Sequence, residues 1–331
     1  MKGDGIGPEV MDVAINIANF LIEKRNLDID FVFTEAGENC IKKYGTNLPK
    51  ETIKLLKKSN ACIKGPMTTL EDPKAPQSVA VTIRKMFDLY ANVRIFKSFP
   101  NIPCLKENID TVIVRENTED LYSGKEKKIK NGAIAYKIIT KKASRRIGKF
   151  AFELASKRRK FLAIVHKANI LRLTDGIFKN EILKLSKNFP DVKVEDYHVD
   201  NMAMQLIKRP EYFDVIVAPN LYGDILTDEA SQLVGGIGLI PSANIGKKYA
   251  MFEPAHGSVP KYANKNVANP LASILCIKMM FEYFGYNEES RILGNGINEA
   301  LSKGIKTKDI NGNYGTKEFG DALLNILKSF V

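Results

Sequence analysis

The chain has 331 residues, 44% hydrophobic and 27% charged, a balance that suits a soluble globular protein with about two domains. The 50 Lys and Arg against 38 Asp and Glu leave a net charge of +12, but the basic residues are dispersed and no recognition motif flanks the densest runs, "SGKEKKIKNG" and "KKASRRIGK", so no nucleic-acid partner is expected. No apolar run approaches the roughly 20 residues of a membrane span, no signal-peptide core opens the chain, and Cys40, Cys62, Cys104 and Cys276 form no CxxC pair; the expectation is a cytoplasmic protein with neither zinc nor disulfides.

"MKGDGIGPEV" opens the chain with Gly3, Gly5 and Gly7, a glycine-punctuated turn that runs directly into a helix. Such turns bring backbone close to a ligand, but they normally follow a strand, and only Met1 and Lys2 precede this one. "DIDFVF" then alternates as a strand does, and "ETIKLLKKS" has helical spacing. "TVIVREN", "FLAIVHK" and "DVIVAPN" read as buried strands with polar tails, separated by the helical patterns "SRRIGKFAFELASKR" and "EILKLSKNF". Between Tyr122 and Thr140, a turn at Asn131-Gly132 and an alternating apolar run predict a β-hairpin. Strands alternating with helices predict an α/β fold with a mostly parallel sheet, whose ligands gather beyond the carboxyl ends of the strands.

Those ends carry the candidate chemistry. "NLYGDILTDEA" puts Asp224 and Asp228 four apart, on one face of a helix, and "YHVDNMA" puts Asp200 at a strand end. Such carboxylates suit Mg²⁺ or Mn²⁺; equally, Asp224 caps its helix and Asp228 is a first-turn acid. Arg84, Arg94 and Arg115 are the counterpart, suited to carboxylates of a substrate or to internal ion pairs with Glu116 or Asp88. Tyr122 and Lys167 are possible proton-transfer groups, or simply core and surface residues. Three histidines, His166, His198 and His256, are too few for a histidine-rich metal site, and no GxSxG supports a serine hydrolase. "FEPAHGSVPKYANKNVANP", ahead of the apolar helix "PLASILCIKMMFEYFG", is either a surface loop or a cover for a base and ribose.

Together these motifs resemble the β-decarboxylating dehydrogenases that act on isocitrate, 3-isopropylmalate and homoisocitrate. "GDGIGPEV", "DLYANVR", "RENTEDLY", "HKANI", "NLYGDILTDEASQLVGGIGLIPSANIG" and "FEPAHGS…NVANP" occur in the family's order over nearly the whole chain. The resemblance implies a doubly wound α/β fold of the isopropylmalate dehydrogenase type. Its large domain would comprise residues 1–95 and 235–331, and its smaller one 96–234 with a dimer clasp around 122–140. It implies that Arg84, Arg94 and Arg115 hold substrate carboxylates and that Asp200, Asp224 and Asp228 bind Mg²⁺ or Mn²⁺. Lys167 would assist removal of the hydroxyl proton and Tyr122 would protonate the enolate left by loss of CO₂. Ile6, His256, Gly257, Ser258, Lys261, Tyr262 and Asn269 would line the cofactor. Family members are homodimers or larger, with Lys167 and Asp200 reaching into the partner's site.

Within the family, "PQSVAVTIRK" supplies the serine of isocitrate enzymes as Ser78, whereas Ala80 replaces their asparagine and with Val81 leans toward the isopropylmalate type. "PKYAN" puts Lys261 where NAD-dependent members carry an aspartate, a change of sign that favours the 2′-phosphate of NADP⁺. The expectation is NADP-dependent isocitrate oxidation, with a 3-isopropylmalate or homoisocitrate dehydrogenase using NAD as the alternative, and a non-catalytic regulatory subunit as another. The family also sets a short apolar strand before the opening turn; its absence predicts an exposed sheet edge and reduced stability.

Overall fold

A single eight-stranded sheet collects the buried apolar runs in the computed structural model, which describes every residue except 70, 71, 73 and 74. In chain order the strands are β1 (Ala61–Ile63), β2 (Ala91–Lys97), β3 (Asp110–Glu116), β4 (Glu126–Ile129), β5 (Gly132–Ala135), β6 (Phe161–His166), β7 (Lys193–His198), β8 (Val215–Ala218), β9 (Pro241–Ile245) and β10 (Ala250–Pro254). The sheet runs β1-β10-β9-β2-β3-β8-β6-β7, and β4 and β5 pair only with each other. Four of its seven pairings are parallel, in keeping with the expected mostly parallel sheet, and the three through its middle, β10-β9-β2-β3, are antiparallel.

Helices cover both halves. α1 (Gly7–Arg25), α9 (Leu271–Tyr283), α10 (Asn287–Ser302) and α11 (Thr316–Leu327) pack together beside β9 and β10. α5 (Lys141–Ser156), α6 (Thr174–Leu185), α7 (Val199–Lys208) and α8 (Asn220–Leu233) pack around β3, β6 and β8. Three shorter helices, α2 (Glu38–Tyr44), α3 (Lys50–Lys58) and α4 (Val79–Met86), complete the list. α5 forms because Ala143, Ile147, Ala151, Phe152 and Ala155 recur at helical spacing as a buried stripe, and Thr140 caps it by accepting from the Ala143 N–H at 3.2 Å. β6 is apolar at nearly every position because both its faces are buried; truncating fully buried Ile164 to Ala costs about 2–5 kcal/mol.

The glycines of the opening turn allow backbone to meet backbone. Gly3 and Gly5 have φ of +83° and +58°, and a Cβ on either would lie 2.1 Å from the Pro66 carbonyl oxygen or 2.0 Å from that of Ser258. The turn is pinned where it is by Asp4 N–H to Pro66 O and Ile6 N–H to Ser258 O, both 2.8 Å, while buried Asp4 accepts from the backbone of Glu38 and Thr68 at 3.0 Å. It is thereby a junction joining the start of α1 to the segments after β1 and β10.

Two expectations are corrected. "DIDFVF" forms no ladder: residues 28–33 have no strand assignment, because no strand lies alongside to accept their hydrogen bonds. Instead they help to line an apolar cavity of about 410 Å³, together with Ala61, Cys62 and Ile63 of β1. The predicted hairpin is present as β4–β5, but Ile129 pairs with Gly132, so Lys130 and Asn131 form its turn and Gly132 begins the second strand. All eight residues of those strands are exposed.

Candidate active site

The middle of the sheet presents an unusual polar face. Side chains alternate across a strand, so Asn92 and Arg94 of β2 share a face, and the register sets Arg115 of β3 and Asn244 of β9 opposite Asn92, and Ser242 opposite Arg94. Asn92 Nδ2 donates to Ser242 Oγ at 2.8 Å and to Asn244 Oδ1 at 3.0 Å. Helix α8 lies over this face, close enough that a Cβ on Gly223 would meet the Arg115 side chain at 2.7 Å; glycine there allows the helix to settle on the arginine.

That packing brings α8's acids onto the guanidinium groups. Arg115 donates through Nε to Asn220 Oδ1 at 2.8 Å and through Nη1 to Asp224, and Tyr122 donates to the other oxygen of Asp224. Arg94 Nη1 donates to Thr227 Oγ1 at 2.9 Å and to Asp228 Oδ1 at 3.2 Å. Neither acid caps the helix, because α8 begins at Asn220 and places Asp224 beyond its first turn. Nor do the arginines take the expected internal partners: Glu116 points away from Arg115 and caps Thr118 and Glu119, while Asp88 pairs with Arg146 at 2.5 Å.

Arg84 on α4 reaches Glu253 at 2.8 Å, and Lys64 meets the same carboxylate at 2.9 Å. Burial alone would raise the Glu253 pKa; Lys64 and Arg84 override it and hold the carboxyl well below its ordinary range. The Nε–H groups of Arg84 and Arg94 are buried without a partner, a shortage of acceptors that a bound carboxylate would fill. Burial lowers the pKa of Arg115, against the opposing pull of Asp224. Tyr122 is half-exposed, and desolvation followed by its bond to Asp224 raises its pKa, so the phenol keeps its proton at neutral pH.

Lys167 and Asp200 form a separate centre. Lys167 Nζ donates to Asp200 Oδ1 at 2.5 Å, and that bond lowers the Asp200 pKa. Asp200 lies in the first turn of α7, two residues past the end of β7. Among the described residues no three His, Cys, Asp or Glu side chains converge as metal ligands; Asp224 and Asp228 supply two hard oxygen donors, and Asp200 sits elsewhere in the chain. Ser78, at the start of α4, makes no side-chain hydrogen bond among the described residues.

The loop after β10 carries the remaining candidates. His256 is buried with Nδ1 3.0 Å from the Gly257 carbonyl and Nε2 unpartnered, and desolvation lowers its pKa. A Cβ at Gly257 would meet open space. Ser258 bonds Thr68 at 2.9 Å, and Val259 has φ of +37°, a strained backbone for a β-branched residue. Beyond it Tyr262 is half-exposed, with Lys261 4.9 Å and Lys265 5.9 Å from its ring centre. Asn269 is already engaged, capping Leu271 N–H at 3.0 Å and donating to Asp309 at 3.1 Å. Ile6 turns its side chain into the core while its N–H holds Ser258. An orphaned imidazole nitrogen beside an open glycine and an exposed aromatic ring fits a nucleotide in chemistry.

An α/β sheet with arginines facing a carboxylate pair, beside a His-Gly-Ser loop, has the composition of an oxidoreductase site for acidic substrates. The chain belongs to the isocitrate/isopropylmalate dehydrogenase family, whose model matches residues 1–323, and is therefore a metal-dependent, NAD(P)-dependent decarboxylating dehydrogenase. It is 46% identical to the 3-isopropylmalate dehydrogenase of Methanothermobacter thermautotrophicus, over 96% of this chain and 94% of that protein. It is 45% identical to the homoisocitrate dehydrogenase of Methanocaldococcus jannaschii, over 99% and 96%. The solved isocitrate dehydrogenase of Methylococcus capsulatus superposes with a TM-score of 0.92 at 37% identity, covering 99% of this chain and 98% of that one.

Membership gives meaning to residues that pattern reading passed over. Glu253, which fixes Arg84, and Lys64 and Asn244, which hold Glu253, carry no local signal beyond being polar in or next to apolar strands. No helix among the described residues is long and apolar enough to cross a membrane.

Proposed function

We propose that the chain oxidises isocitrate and decarboxylates the product to 2-oxoglutarate and CO₂, preferring NADP⁺ and tolerating NAD⁺, as a homodimer or larger homo-oligomer with shared sites. Ser78 carries the choice of substrate: its hydroxyl is free among the described residues, at the start of the helix that also bears Arg84, where it can donate to a third carboxylate. Lys261 carries the choice of cofactor, a cation on the exposed edge of the loop where an acid would repel a 2′-phosphate.

In this reading Arg84, Arg94 and Arg115 bind the substrate's carboxylates, the first two through their unpartnered Nε–H groups. Asp224 and Asp228, joined by Asp200 from a second copy, hold Mg²⁺ or Mn²⁺. When bound, the cation would supply Lewis-acid polarisation and the nicotinamide cofactor the hydride-accepting capacity that the oxidation needs. Lys167 takes the hydroxyl proton, and Tyr122, kept protonated by burial and Asp224, gives a proton to the carbon vacated by CO₂.

A second reading rests on Ala80 and Val81, which are partly exposed and apolar beside Ser78 and suit an aliphatic γ-substituent, as in the 3-isopropylmalate relative. Cofactor reduction is measured with purified protein and Mg²⁺ on isocitrate, 3-isopropylmalate and homoisocitrate, each with NADP⁺ and NAD⁺. The highest kcat/KM is expected for isocitrate with NADP⁺; a higher value for 3-isopropylmalate or homoisocitrate establishes the second reading.

A further inference from the structure

Behind the proton-handling residues lies a polar cluster to which neither the family resemblance nor the proposed reaction gives a role: Asp120, Lys137, Asp175 and Tyr222. Asp120 and Asp175 are fully buried. The Lys137 ammonium sits 2.7 Å from Asp175 Oδ1, 3.7 Å from Asp120 Oδ1 and 4.1 Å from the centre of the Tyr222 ring. Its approach to Asp175 is that of an ion pair rather than an aligned hydrogen bond, since Oδ1 has no hydrogen-bond partner. Both acids also cap backbone. Asp175 Oδ2 accepts the N–H of Lys167 at 2.7 Å. Asp120 Oδ1 accepts from Leu121 at 2.8 Å and Oδ2 from Leu221 at 2.9 Å, while its own N–H donates to Ile138 O at 2.8 Å. Asp120 holds a left-handed backbone, φ +75°, two residues before Tyr122.

One ammonium therefore neutralises two buried carboxylates, and each carboxylate fixes a different working segment. Asp120 ties the turn bearing Tyr122 to Leu221 at the start of α8, the helix that carries Asp224 a turn further on. Asp175 ties the end of β6, where Lys167 emerges, to the start of α6. Without the cation the two buried carboxylates are left without a counter-charge, and the caps they provide loosen. Proton transfer tolerates little displacement, since about 1 Å can cost on the order of a hundredfold in rate.

We infer that Lys137 is a positioning residue which, through Asp120 and Asp175, sets the Tyr122 turn and the Lys167 strand end together. The inference rests on the proposed roles of Tyr122 and Lys167 and extends them to a residue that touches neither substrate nor cofactor. It distinguishes itself from a purely structural ion pair by predicting loss in kcat, in both halves of the reaction, with KM little changed.

The test uses the full chain in its native assembly. Lys137→Met is compared with wild type for kcat and KM on the preferred hydroxy acid, and for cofactor-free CO₂ release from the corresponding β-keto acid, at a temperature where both proteins are folded. The expected result is a ten- to hundredfold fall in kcat and a parallel fall in keto-acid decarboxylation, with KM nearly unchanged. A lowered melting temperature with unchanged rates, or a raised KM with unchanged kcat, overturns the inference. If Lys137→Met does not fold, Lys137→Met/Asp175→Asn removes one buried charge of each sign and keeps an acceptor for the Lys167 N–H; equal falls in both half-reactions support the inference, and wild-type rates overturn it. Tyr122→Phe and Lys167→Met are measured in parallel. Wild-type activity in either refutes that residue's proposed role, independently of what Lys137→Met shows.

Discussion

Lys261 is where one side chain sets the sign of the field at the ribose end of the proposed cofactor site. Replacing it by Asp substitutes repulsion for attraction toward a 2′-phosphate and gives the ribose hydroxyls an acceptor. Lys261→Asp is expected to swing the ratio of kcat/KM for NADP⁺ over NAD⁺ by about tenfold or more toward NAD⁺, the scale of one charge-assisted hydrogen bond. An unchanged ratio removes Lys261 from cofactor selection. Glu253 shows the same physics in stability. Lys64 and Arg84 hold it below the ordinary carboxylate range, so the unfolded chain binds a proton that the folded chain refuses. Its contribution is complete above the unfolded pKa of about 4.3 and fades as pH falls through the lower folded value. Glu253→Gln should lose about 3–5 kcal/mol at pH 7, because Lys64 is left buried without its counter-charge. Its melting temperature should also fall less steeply than wild type below about pH 4, and parallel curves would show that Glu253 is not the acid-sensitive group.

At the level of elements, β1 and residues 28–33 share the lining of one apolar slot of about 410 Å³. Met1 already begins a strand: its amine donates to Ile63 O and its carbonyl accepts from Gly65 N, each at 2.9 Å, the pattern of a parallel pair with Lys64. Burial lowers the pKa of that amine and so disfavours its charged form, at a slot whose lining includes Phe31, Leu56 and Ile63. Fusing five β-branched residues ahead of Met1 should replace this buried amine with a peptide bond, extend the pairing with the β1 segment and bury two or three side chains. The expected gain is about 3–6 kcal/mol, read as a rise of several degrees in melting temperature. An unchanged melting temperature would mean that the slot does not accept a strand. The slot also explains which elements were legible in the sequence. "FLAIVHK" became β6 because its apolar residues suffice to bury both faces, whereas "DIDFVF" alternates correctly yet lacks a neighbour, which no local pattern reports. Asp224 and Asp228 were legible as a one-turn pair, but the helix start four residues earlier was hidden because Pro219, rather than a side-chain cap, precedes it. Asp120, Lys137 and Asp175 were invisible as a cluster, since they come from a turn, a hairpin exit and a helix start that only tertiary packing unites.

Across the whole molecule, the acids proposed as metal ligands and the two proton-transfer residues fall into two groups with no contact between them among the described residues. Arg94, Arg115, Tyr122, Asp224 and Asp228 form one, and Lys167 with Asp200 forms the other. Around the second group the surface is apolar: Ile170 and Leu173 follow Lys167, Met204 and Ile207 lie on α7, and Ile225 lies on the adjoining α8. The isolated β4–β5 hairpin likewise exposes Ile129 and Ile134, and two strands alone are marginal in water. A second copy covering these surfaces in a two-fold arrangement would bring each chain's Lys167 and Asp200 to its partner's Asp224 and Asp228. Shared sites of this kind allow complementation. Tyr122→Phe and Lys167→Met chains are each expected to be nearly inactive, yet a mixed dimer has one site with both native residues. Random mixing makes half of the dimers mixed, each with one of two sites intact, so denaturing and co-refolding equal amounts should restore roughly a quarter of wild-type activity. Sites built within single chains predict instead that the mixture stays as inactive as its components, and activity measured before and after mixing decides between the two arrangements.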